Sequence, residues 1–446
     1  MAEDDPKDRA ESVRRLLERL SAQTETPIPT SALGRLRRTA STALRAGTGM
    51  VAGRLLGGSG VEQQAIERVV LSLGELKGVA MKMGQILSYM DTSLPSEARR
   101  QLAVLQRRSQ PTGFAWIEAA LRQDFGERAE VLLRELGREP VATASIGQVH
   151  QARLADGTLV AVKVRHPGIE EAIRADFRGA RTGKALARML APGTDIQELI
   201  AEAEARFLEE CDYTRERAHQ QRFIEVYSAH PSIGIPTVYA EWSSARVLTS
   251  RWCEGERLED FASRAGEAER KRASLALHEF YVGSLYRHGL FNADPHPGNL
   301  LFQRDGRVVV LDHGCVRAFD QPTVRALARL SGAVRADDAT QIREALRELG
   351  AKSPEPGPGF EATRGLLRGF FGPALVAGPH RIEAAMSLEA REVIQNKRKL
   401  LRLQLPGKLL FLFRIRFGLH SVLAHLGAEL DWGQLEAEAA SVAMSP

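Results

Sequence analysis

Apolar residues recur at helical spacing through residues 61–136, which predicts a helical region in this part of the chain. Within it, the stretch LGELKGVAMKMGQILSYMD (73–91) carries Lys82 and Gln85 three positions apart, on one face of the expected helix. Gly84 lies between them, although glycine costs a helix about 1 kcal/mol relative to alanine. The pattern alone allows two interpretations: Gly84 permits close helix packing beside a solvated Lys82, or the polar face serves a site.

Near residue 140 the pattern changes to alternating apolar and polar residues, which predicts β-strands. Residues 140–168 alternate around the dipeptide Asp156–Gly157, which is typical of a β-hairpin. The runs RVLTSRW (246–252) and RVVVLDHG (307–314) also read as strands.

Helical periodicity returns over 170–228, over 256–289 and from residue 320 to the C-terminus. The segment KSPEPGPGF (352–360) interrupts the last of these and is predicted to be a loop, because it is rich in proline and glycine. Helices and strands in this mixture predict an α+β protein with no internal repeat.

Composition excludes several classes of protein. With 446 residues, 43% hydrophobic and 26% charged, the chain suits a soluble globular protein of two or three domains. Its cysteines, Cys211, Cys253 and Cys315, are scattered, which argues against a disulfide framework or a structural zinc site. A net charge of +5 without a dense basic tract, and only 6% aromatic residues, argue against nucleic-acid binding.

No segment of the sequence predicts a transmembrane helix, since the longest apolar run, KLLFLFRIRFGLHSVL, is broken by Arg414 and Arg416. The acidic start MAEDDPKD does not resemble a secretory signal. Residues 31–60 contain five arginines and no acidic residue, so they either bind an anionic membrane surface or form a packed basic helix with a glycine-rich loop. We therefore expect a cytoplasmic protein, free or peripherally attached to a membrane.

Three separated segments predict phosphoryl-transfer chemistry. Lys163 lies in the strand-like run VAVKVRH, Asp294 and Asn299 lie five apart in GLFNADPHPGNLLF, and Asp312 ends the last predicted strand. Phosphoryl transfer needs a cation on the α- and β-phosphates, an aspartate and an asparagine on the metal, and a carboxylate that orients the attacking oxygen. The order of these residues is that of protein kinases, so Asp294 is the candidate catalytic base and Asn299 and Asp312 are the candidate Mg²⁺ ligands.

A fourth segment, FLEECDYTRERAH, adds acidic residues on an early helix. A kinase needs one glutamate from such a helix to pair with its strand lysine, and Glu216 is the candidate partner of Lys163. Glu210 and Asp212 remain as a second acidic pair, which has no role in an ordinary kinase.

Taken together, the motifs resemble those of the UbiB-type atypical kinases, the family that includes the coenzyme Q accessory kinases. The resemblance extends over about residues 30–430 and rests on motifs at five places along the chain. These are Lys82-Met83-Gly84-Gln85, the alanine-rich VATASIGQVH in place of a glycine-rich loop, Glu210-Cys211-Asp212, NADPHPGN (292–299) and Asp312-His313-Gly314. Asn292, where family members often carry histidine, and His313, where phenylalanine is usual, are departures.

The resemblance implies a two-lobed, protein-kinase-like α+β fold with a helical N-terminal extension and a helical C-terminal region. The expected division is a basic N-terminal segment (1–60), the helical extension (61–136), an N-lobe (137–254) and a helical C-lobe (255–446).

The resemblance also implies an unusual nucleotide site. Lys82 and Gln85 would fold over the cleft, with Lys82 reaching Glu210 and Asp212. The alanine-rich loop, formed by Ala142, Thr143, Ala144 and Ser145, would replace a glycine-rich loop and suppress autophosphorylation.

The function implied is an Mg²⁺-dependent ATPase that binds ATP and ADP and supports quinone or isoprenoid-lipid metabolism at a membrane. Its expected partners are ATP, an anionic membrane surface and a quinone-like lipid or precursor. The competing hypotheses are a true protein or small-molecule kinase and a non-catalytic, nucleotide-gated scaffold for a lipid-biosynthetic complex.

Overall fold

A computed structural model describes residues 113–144, 146–171, 173–174, 177, 204–205, 207–351, 356–383 and 407–444. Lys82, Gln85 and Ser145 lie outside these ranges, as do the predicted basic segment and residues 61–112 of the predicted helical extension.

Helices are the commonest elements in the described ranges. They are α1 (Phe114–Phe125), α2 (Ala129–Arg134), α3 (Tyr213–Tyr227), α4 (Leu258–Arg264), α5 (Glu267–His278), α6 (Ser284–His288), α7 (Gln321–Arg335), α8 (Ala339–Glu348), α9 (Pro358–Phe371), α10 (Gly407–Leu426) and α11 (Trp432–Met444). A π-helical turn, Glu279–Gly283, joins α5 to α6. Side-chain caps fix several of these starts: Asp212, for example, accepts a hydrogen bond from the N–H of Thr214 at 3.0 Å and begins α3.

The strands are mostly short. They are β1 (Ala142–Thr143), β2 (Gly147–Arg153), β3 (Leu159–Arg165), β4 (Ile233–Gly234), β5 (Val247–Arg251), β6 (Leu290–Asn292), β7 (Leu300–Phe302), β8 (Val308–Val310), β9 (Val316–Ala318), β10 (His380–Arg381) and β11 (Glu429–Leu430).

These strands form four small sheets. One sheet has the order β1-β2-β3-β5, and a second has the order β4-β8-β7, with β4 parallel and β7 antiparallel to β8. The pairs β6-β9 and β10-β11 are both antiparallel.

The chain divides into two compact units. The described residues of the first belong to 113–123, Gly137–His150 and Lys163–Cys211; those of the second belong to Asp124–Leu136, Gln151–Val162 and the chain from Asp212 onward. In the second unit the rings of Phe223 and Phe280 lie 4.9 Å apart, and so do those of Phe261 and Phe302. All four are fully buried, so this aromatic core underlies the strands that carry the candidate site.

Several sequence-based predictions are confirmed. The hairpin of β2 and β3 turns at Asp156–Gly157, where Gly157 has φ 85°. The predicted strand at 246–252 is β5, and the one at 307–314 contains β8. The helical pattern at 256–289 becomes α4, α5 and α6.

Other predictions are wrong in part. The predicted loop 352–360 is too long, because α9 begins at Pro358, whose fixed φ suits a first helical turn. The C-terminal region is not wholly helical either, since β10 pairs with β11. Within the described ranges, every helix is too short or too polar to span a lipid bilayer.

Candidate functional site

Two loops of the second unit carry three of the predicted site residues. The loop between β6 and β7 contains Asp294 and Asn299, and the loop between β8 and β9 contains Asp312. The end of β6 pairs with the start of β9, at Asn292 and Val316, and the start of β7 pairs with the end of β8. Both loops therefore leave their strands at the same end, because antiparallel pairing places the end of one strand beside the start of its partner.

Backbone hydrogen bonds extend this pairing into the loops. The N–H of Ala293 donates to the carbonyl of Cys315 at 2.7 Å, and the N–H of Leu311 donates to the carbonyl of Asn299 at 2.9 Å. These bonds lie next to Asp294 and Asp312, so the main chain holds both aspartates in a fixed relation.

Asn292 connects the two loops directly. Its side-chain amide donates to the carbonyl of Asp312 at 2.9 Å, and its side-chain oxygen accepts from the N–H of Asp294 at 3.0 Å. The residue is 1% exposed. Because a buried amide that loses its partners costs free energy, Asn292 stabilises the arrangement only while both aspartates keep their positions.

The loop of Asp294 is also held within itself. The Nδ2 of Asn299 donates to the Oδ2 of Asp294 at 2.9 Å, and the N–H of Gly298 donates to the Nδ1 of His296 at 3.0 Å. Arg257 donates to the carbonyl of Gly298 at 2.9 Å. Since the amide nitrogen of Asn299 faces Asp294, its amide oxygen points the other way.

Asp312 begins a tight turn that lies against helix α3. Its Oδ1 accepts a hydrogen bond from the N–H of Gly314 at 2.8 Å. A Cβ placed on Gly314 would lie 3.2 Å from that oxygen and 3.4 Å from the Oε2 of Glu216. Glu216 is 4% exposed. The predicted helix glutamate therefore lies beside the turn of the predicted metal ligand, where a side chain at Gly314 would be tightly packed.

His313 takes an aromatic position in the core. It is fully buried, and its ring lies 5.3 Å from that of Phe223 and 6.2 Å from that of Phe280. His219, one turn after Glu216 on α3, hydrogen-bonds the backbone of His313, and burial lowers the pKa of His219. Histidine in place of the usual phenylalanine thus keeps the turn packed on α3 through ring contacts.

The π-helical turn after α5 brings a tyrosine under the Asp294 loop. The hydroxyl of Tyr281 donates to the carbonyl of Asp294 at 3.4 Å. Burial raises the pKa of Tyr281 well above its ordinary value, and the charges of Asp294 and Asp312 raise it further. The hydroxyl therefore stays protonated and acts as a donor.

Lys163 lies on β3 and belongs to the first unit. Val160, Val162 and Val164 of this strand are fully buried, whereas Lys163 is half-buried and alternates with them, so it points to the opposite face. The predicted ion pair between Lys163 and Glu216 joins residues of different units and stays a prediction.

The first half of the alanine-rich segment is a strand. Ala142 and Thr143 form β1 and are exposed, and the N–H of Ala144 donates to the carbonyl of Gly147 at 2.8 Å. In β2, the Nε2 of Gln148 lies 2.8 Å from the Nε2 of His150.

The side chains of Gln148 and His150 are fully buried. The Nδ1 of His150 lies 2.7 Å from the carbonyl oxygen of Gly137. Burial lowers the pKa of His150, which keeps the ring neutral and suits a structural role.

The second acidic pair is divided between the two units. Glu210 is half-buried in the first unit, and the next residue, Cys211, accepts a hydrogen bond at its carbonyl from the guanidinium of Arg165 on β3. Asp212 belongs to the second unit and caps α3. The cap gives Asp212 a structural role that the sequence analysis did not foresee; its predicted nucleotide role stays a prediction.

The side chains of the two loops suit a magnesium ion bound with nucleotide phosphates. Mg²⁺ prefers oxygen ligands and is usually held by one or two carboxylates, with phosphate oxygens and water completing its shell. Asp312 offers a carboxylate whose orientation is fixed by Gly314, and Asn299 offers an amide oxygen. The donor set therefore fits the predicted metal.

The sequence also matches a family model. The ABC1 atypical kinase-like domain matches residues 104–346, a little over half of the chain. This chain belongs to the ABC1 atypical kinase-like family. The membership confirms the recognition of a UbiB-type atypical kinase and the kinase-like α+β fold.

Curated relatives of this ABC1 kinase-like chain include an AarF domain-containing protein kinase 1 from Xenopus laevis. It is 28% identical over 281 residues, which cover 62% of this chain and 54% of the relative. The chloroplastic protein ACTIVITY OF BC1 COMPLEX KINASE 3 from Arabidopsis thaliana is 33% identical over 262 residues, which cover 57% of this chain and 36% of the relative. The chain thus spans about half or less of the length of these curated relatives.

A solved structure resembles the ABC1 kinase-like chain over most of its length. It is the complex of Rv3197 with erythromycin from Mycobacterium tuberculosis, which is 27% identical. The similarity covers 87% of this chain and 97% of that one, with a TM-score of 0.58.

Sequence reasoning missed the residues that support the aspartates of this ABC1 kinase-like site. In the sequence Asn292 is visible only as a departure from the family, and Tyr281 and His219 carry no signal, because no local motif connects them to the residues that they contact. A polar residue directly before ADPHPGN is the one local hint that Asn292 connects the two loops.

Proposed function

We propose that this ABC1 kinase-like protein binds magnesium-nucleotide and hydrolyses ATP in support of quinone or isoprenoid-lipid biosynthesis at a membrane. The observation that carries the nucleotide part is the joining of Asp294, Asn299 and Asp312 through Asn292. A buried amide that ties a kinase-type base loop to a kinase-type metal turn suits phosphoryl transfer, in which positioning and electrostatics do most of the catalysis.

Each residue has a distinct proposed role. Asp312 and Asn299 hold Mg²⁺, which, when bound, neutralises charge on the phosphates. Asp294 orients the attacking oxygen, and Lys163 contacts the α- and β-phosphates with Glu216 as its partner. Lys82, Gln85, Glu210 and the loop Ala142–Ser145 complete the nucleotide site in this proposal, on the strength of the family resemblance.

Nucleotide binding is tested by thermal unfolding with Mg-ATP and Mg-ADP. At 100 times the dissociation constant, a ligand that binds only the folded state stabilises it by about 2.7 kcal/mol. Asp312→Asn should lose the Mg²⁺-dependent part of this stabilisation. Asp260→Asn is the matched control, because Asp260 is an exposed aspartate at the start of α4. No stabilisation of the native protein by either nucleotide would refute the proposal.

The fate of the phosphate separates the competing functions. With γ-labelled ATP, the proposed ATPase releases inorganic phosphate, whereas a true kinase transfers label to a protein or small-molecule hydroxyl. A scaffold binds nucleotide and does neither. Asp294→Asn should reduce turnover by at least about 100-fold while Mg-ADP still stabilises the protein, because a base that acts in the transition state contributes about 10²–10⁴-fold.

The membrane part of the proposal rests on the arginine-rich segment 31–60 and on the family resemblance. Vesicles of anionic lipid should therefore bind the protein and raise ATP turnover, and neutral vesicles should do so less, since basic segments are attracted to anionic surfaces. Addition of a quinone-precursor phenol tests the lipid class. Unchanged turnover together with no co-sedimentation would remove the membrane part and leave the nucleotide part intact.

The solved relative favours a second candidate function. Because that protein was determined in complex with erythromycin, this chain is a candidate for binding a bulky, largely apolar macrocycle. Thermal unfolding with erythromycin, with and without Mg-ATP, tests this possibility. A shift that requires Mg-ATP would connect macrocycle binding to the nucleotide site, and no shift in either condition would exclude this candidate.

A further inference from the structure

Helix α10 approaches the Asp294 loop closely at one glycine. Gly418 lies in the interior of α10, where glycine destabilises a helix relative to alanine. A Cβ placed on Gly418 would lie 2.9 Å from the Cγ and 3.8 Å from the Cδ of Pro295. Carbon atoms that are not bonded normally remain about 3.5–4.0 Å apart. The absence of a side chain at Gly418 is therefore what lets the proline ring rest on the helix.

Pro295 can move away from an added methyl group only through a change of ring pucker at Cγ or a shift of its backbone. Its ring is closed onto the backbone, which fixes φ, and the residue is buried. The residue before it is Asp294, whose carboxylate accepts from Asn299 at 2.9 Å and whose carbonyl accepts from Tyr281 at 3.4 Å. The part of a ring displacement that puckering does not absorb is therefore passed to the backbone next to the candidate catalytic carboxylate.

Helix α10 cannot easily move away either. Arg416 and His420 flank Gly418 and are buried. Arg416 forms an ion pair with Glu436 of α11, and its guanidinium lies 4.9 Å from the ring centre of Phe370. The contacts of Arg416 thus hold the helix on one side of Gly418, and the burial of His420 limits its movement on the other, which favours the loop as the part that yields.

We propose that Gly418 is a positioning residue for the candidate site: the bare backbone of α10 at Gly418 supports Pro295 and thereby fixes the carboxylate of Asp294. This role rests on the proposed function, in which Asp294 orients the attacking oxygen. Helix α10, which lies beyond the family match at 104–346, then helps to position the candidate site.

The experiment compares Gly418→Ala with Gly332→Ala. Gly332 is a matched control because it lies in helix α7, is exposed, and would have no atom within 4 Å of an added Cβ. A displacement of 1 Å at a reacting group can reduce a rate about 100-fold, so the smaller shift enforced here should lower kcat about 10-fold. The KM for ATP should change less than about twofold, because the displaced carboxylate acts on the attacking oxygen. Gly332→Ala should leave both constants unchanged.

A rescue separates this role from general damage to the fold. Pro295→Ala removes the ring atom that the new methyl would meet, so adding Gly418→Ala in that background should lower kcat less than about twofold. If Gly418→Ala alone fails to fold, a folded double variant supports the contact. If Gly418→Ala lowers kcat, or prevents folding, equally with Pro295 and with Ala at position 295, the proposed contact is refuted.

Hydrogen exchange gives a readout that does not depend on ATP turnover. The amides of Ala293, Asp294, Gly298 and Asn299 are hydrogen-bonded within the loop or to its neighbour, so they should exchange faster in Gly418→Ala and not in Gly332→Ala. Faster exchange in a protein that turns over no ATP would support the contact and refute the proposed function. An active wild type, with kcat and exchange unchanged in Gly418→Ala, would refute the positioning role.

Discussion

Replacement of Arg416 by methionine removes one partner of a buried ion pair between α10 and α11. Glu436 is 1% exposed and Arg416 is 8% exposed. The carboxylate of Glu436 accepts from the guanidinium of Arg416, from the hydroxyl of Tyr286 at 3.0 Å and from Ser331 at 3.2 Å. Burial alone would raise the pKa of Glu436, but the charge of Arg416 and these hydrogen bonds hold it below its ordinary value.

Without Arg416 the carboxylate keeps the hydroxyl donors of Tyr286 and Ser331, which carry no charge. Removal of one partner from a buried ion pair typically costs about 3–5 kcal/mol, because an uncompensated charge stays buried. With a urea m-value of about 3 kcal/mol/M, the unfolding midpoint should fall by about 1–1.7 M. Arg325→Met, at an exposed arginine of α7, should change the unfolding free energy by less than about 0.5 kcal/mol.

The loss of unfolding free energy in Arg416→Met should also depend on pH. In Arg416→Met the folded-state pKa of Glu436 rises above its unfolded value, because burial is no longer offset. A raised pKa gives stability that is present below the unfolded pKa and is lost as pH rises through the folded pKa. The variant should therefore lose less stability, relative to the wild type, at pH 5 than at pH 8.

Urea unfolding followed by circular dichroism at both pH values measures these differences. The double variant Arg416→Met/Glu436→Leu should be more stable than Arg416→Met at pH 8, because it leaves no unpaired charge. If Arg416→Met lowers the free energy of unfolding by less than about 1 kcal/mol, or by the same amount at pH 5 and pH 8, the reasoning from a buried ion pair is refuted.

Three further outcomes follow from the same physical chemistry. Burial lowers the pKa of His278 to about 4 and that of His420 to about 3, from 6.5. The free energy of unfolding of the wild type should therefore fall as pH drops from 6.5 toward 4, which thermal unfolding checks. In this pH range, His278→Gln should take up about one proton fewer on unfolding than the wild type. Gly306→Ala should cost about 1–3 kcal/mol in urea unfolding, because φ is 84° and a Cβ would lie 2.5 Å from a backbone carbonyl oxygen. Asn292→Ala should reduce the unfolding free energy by about 1–3 kcal/mol and also reduce ATP turnover, because the carbonyl of Asp312 loses its partner.

The sequence was most informative where structure is set by local patterns. Strand β3 alternates between buried and half-buried residues over its whole length, so the facing of Lys163 follows from spacing, and the Asp156–Gly157 dipeptide marks the turn before it. Asp312 was also predictable, because a run of three valines ending in Leu-Asp is typical of a buried strand that delivers its last residue to a loop.

Periodicity could not show the short strands around the site. Strands β6 and β7 have three residues each, all buried, so they lack the alternation that identifies a strand. The pair β10-β11 joins two-residue strands from distant parts of the chain. These residues form strands because of pairing partners that only the folded chain brings together.

The residues that hold the site in place could not be predicted either, because their contacts are also tertiary. Gly418 was an unremarked glycine in an apolar run, and nothing local to it points to Pro295, more than a hundred residues earlier. The π-helical turn that places Tyr281 under Asp294 interrupts an ordinary helical pattern without a proline or a glycine pair to mark it. Motifs identified the reacting groups, whereas the groups that hold them require tertiary contacts.

The two aspartates of the candidate site rest on different helices, and this arrangement has a consequence for how variants act. Asp312 belongs to a turn that lies against Glu216 of α3, whereas the loop of Asp294 rests on Gly418 of α10. Asn292 hydrogen-bonds to both loops. A displacement caused by a substitution on either helix can therefore reach the other aspartate through this amide. If Asn292 transmits such displacements, the effects of substitutions on α3 and α10 on ATP turnover should not be additive.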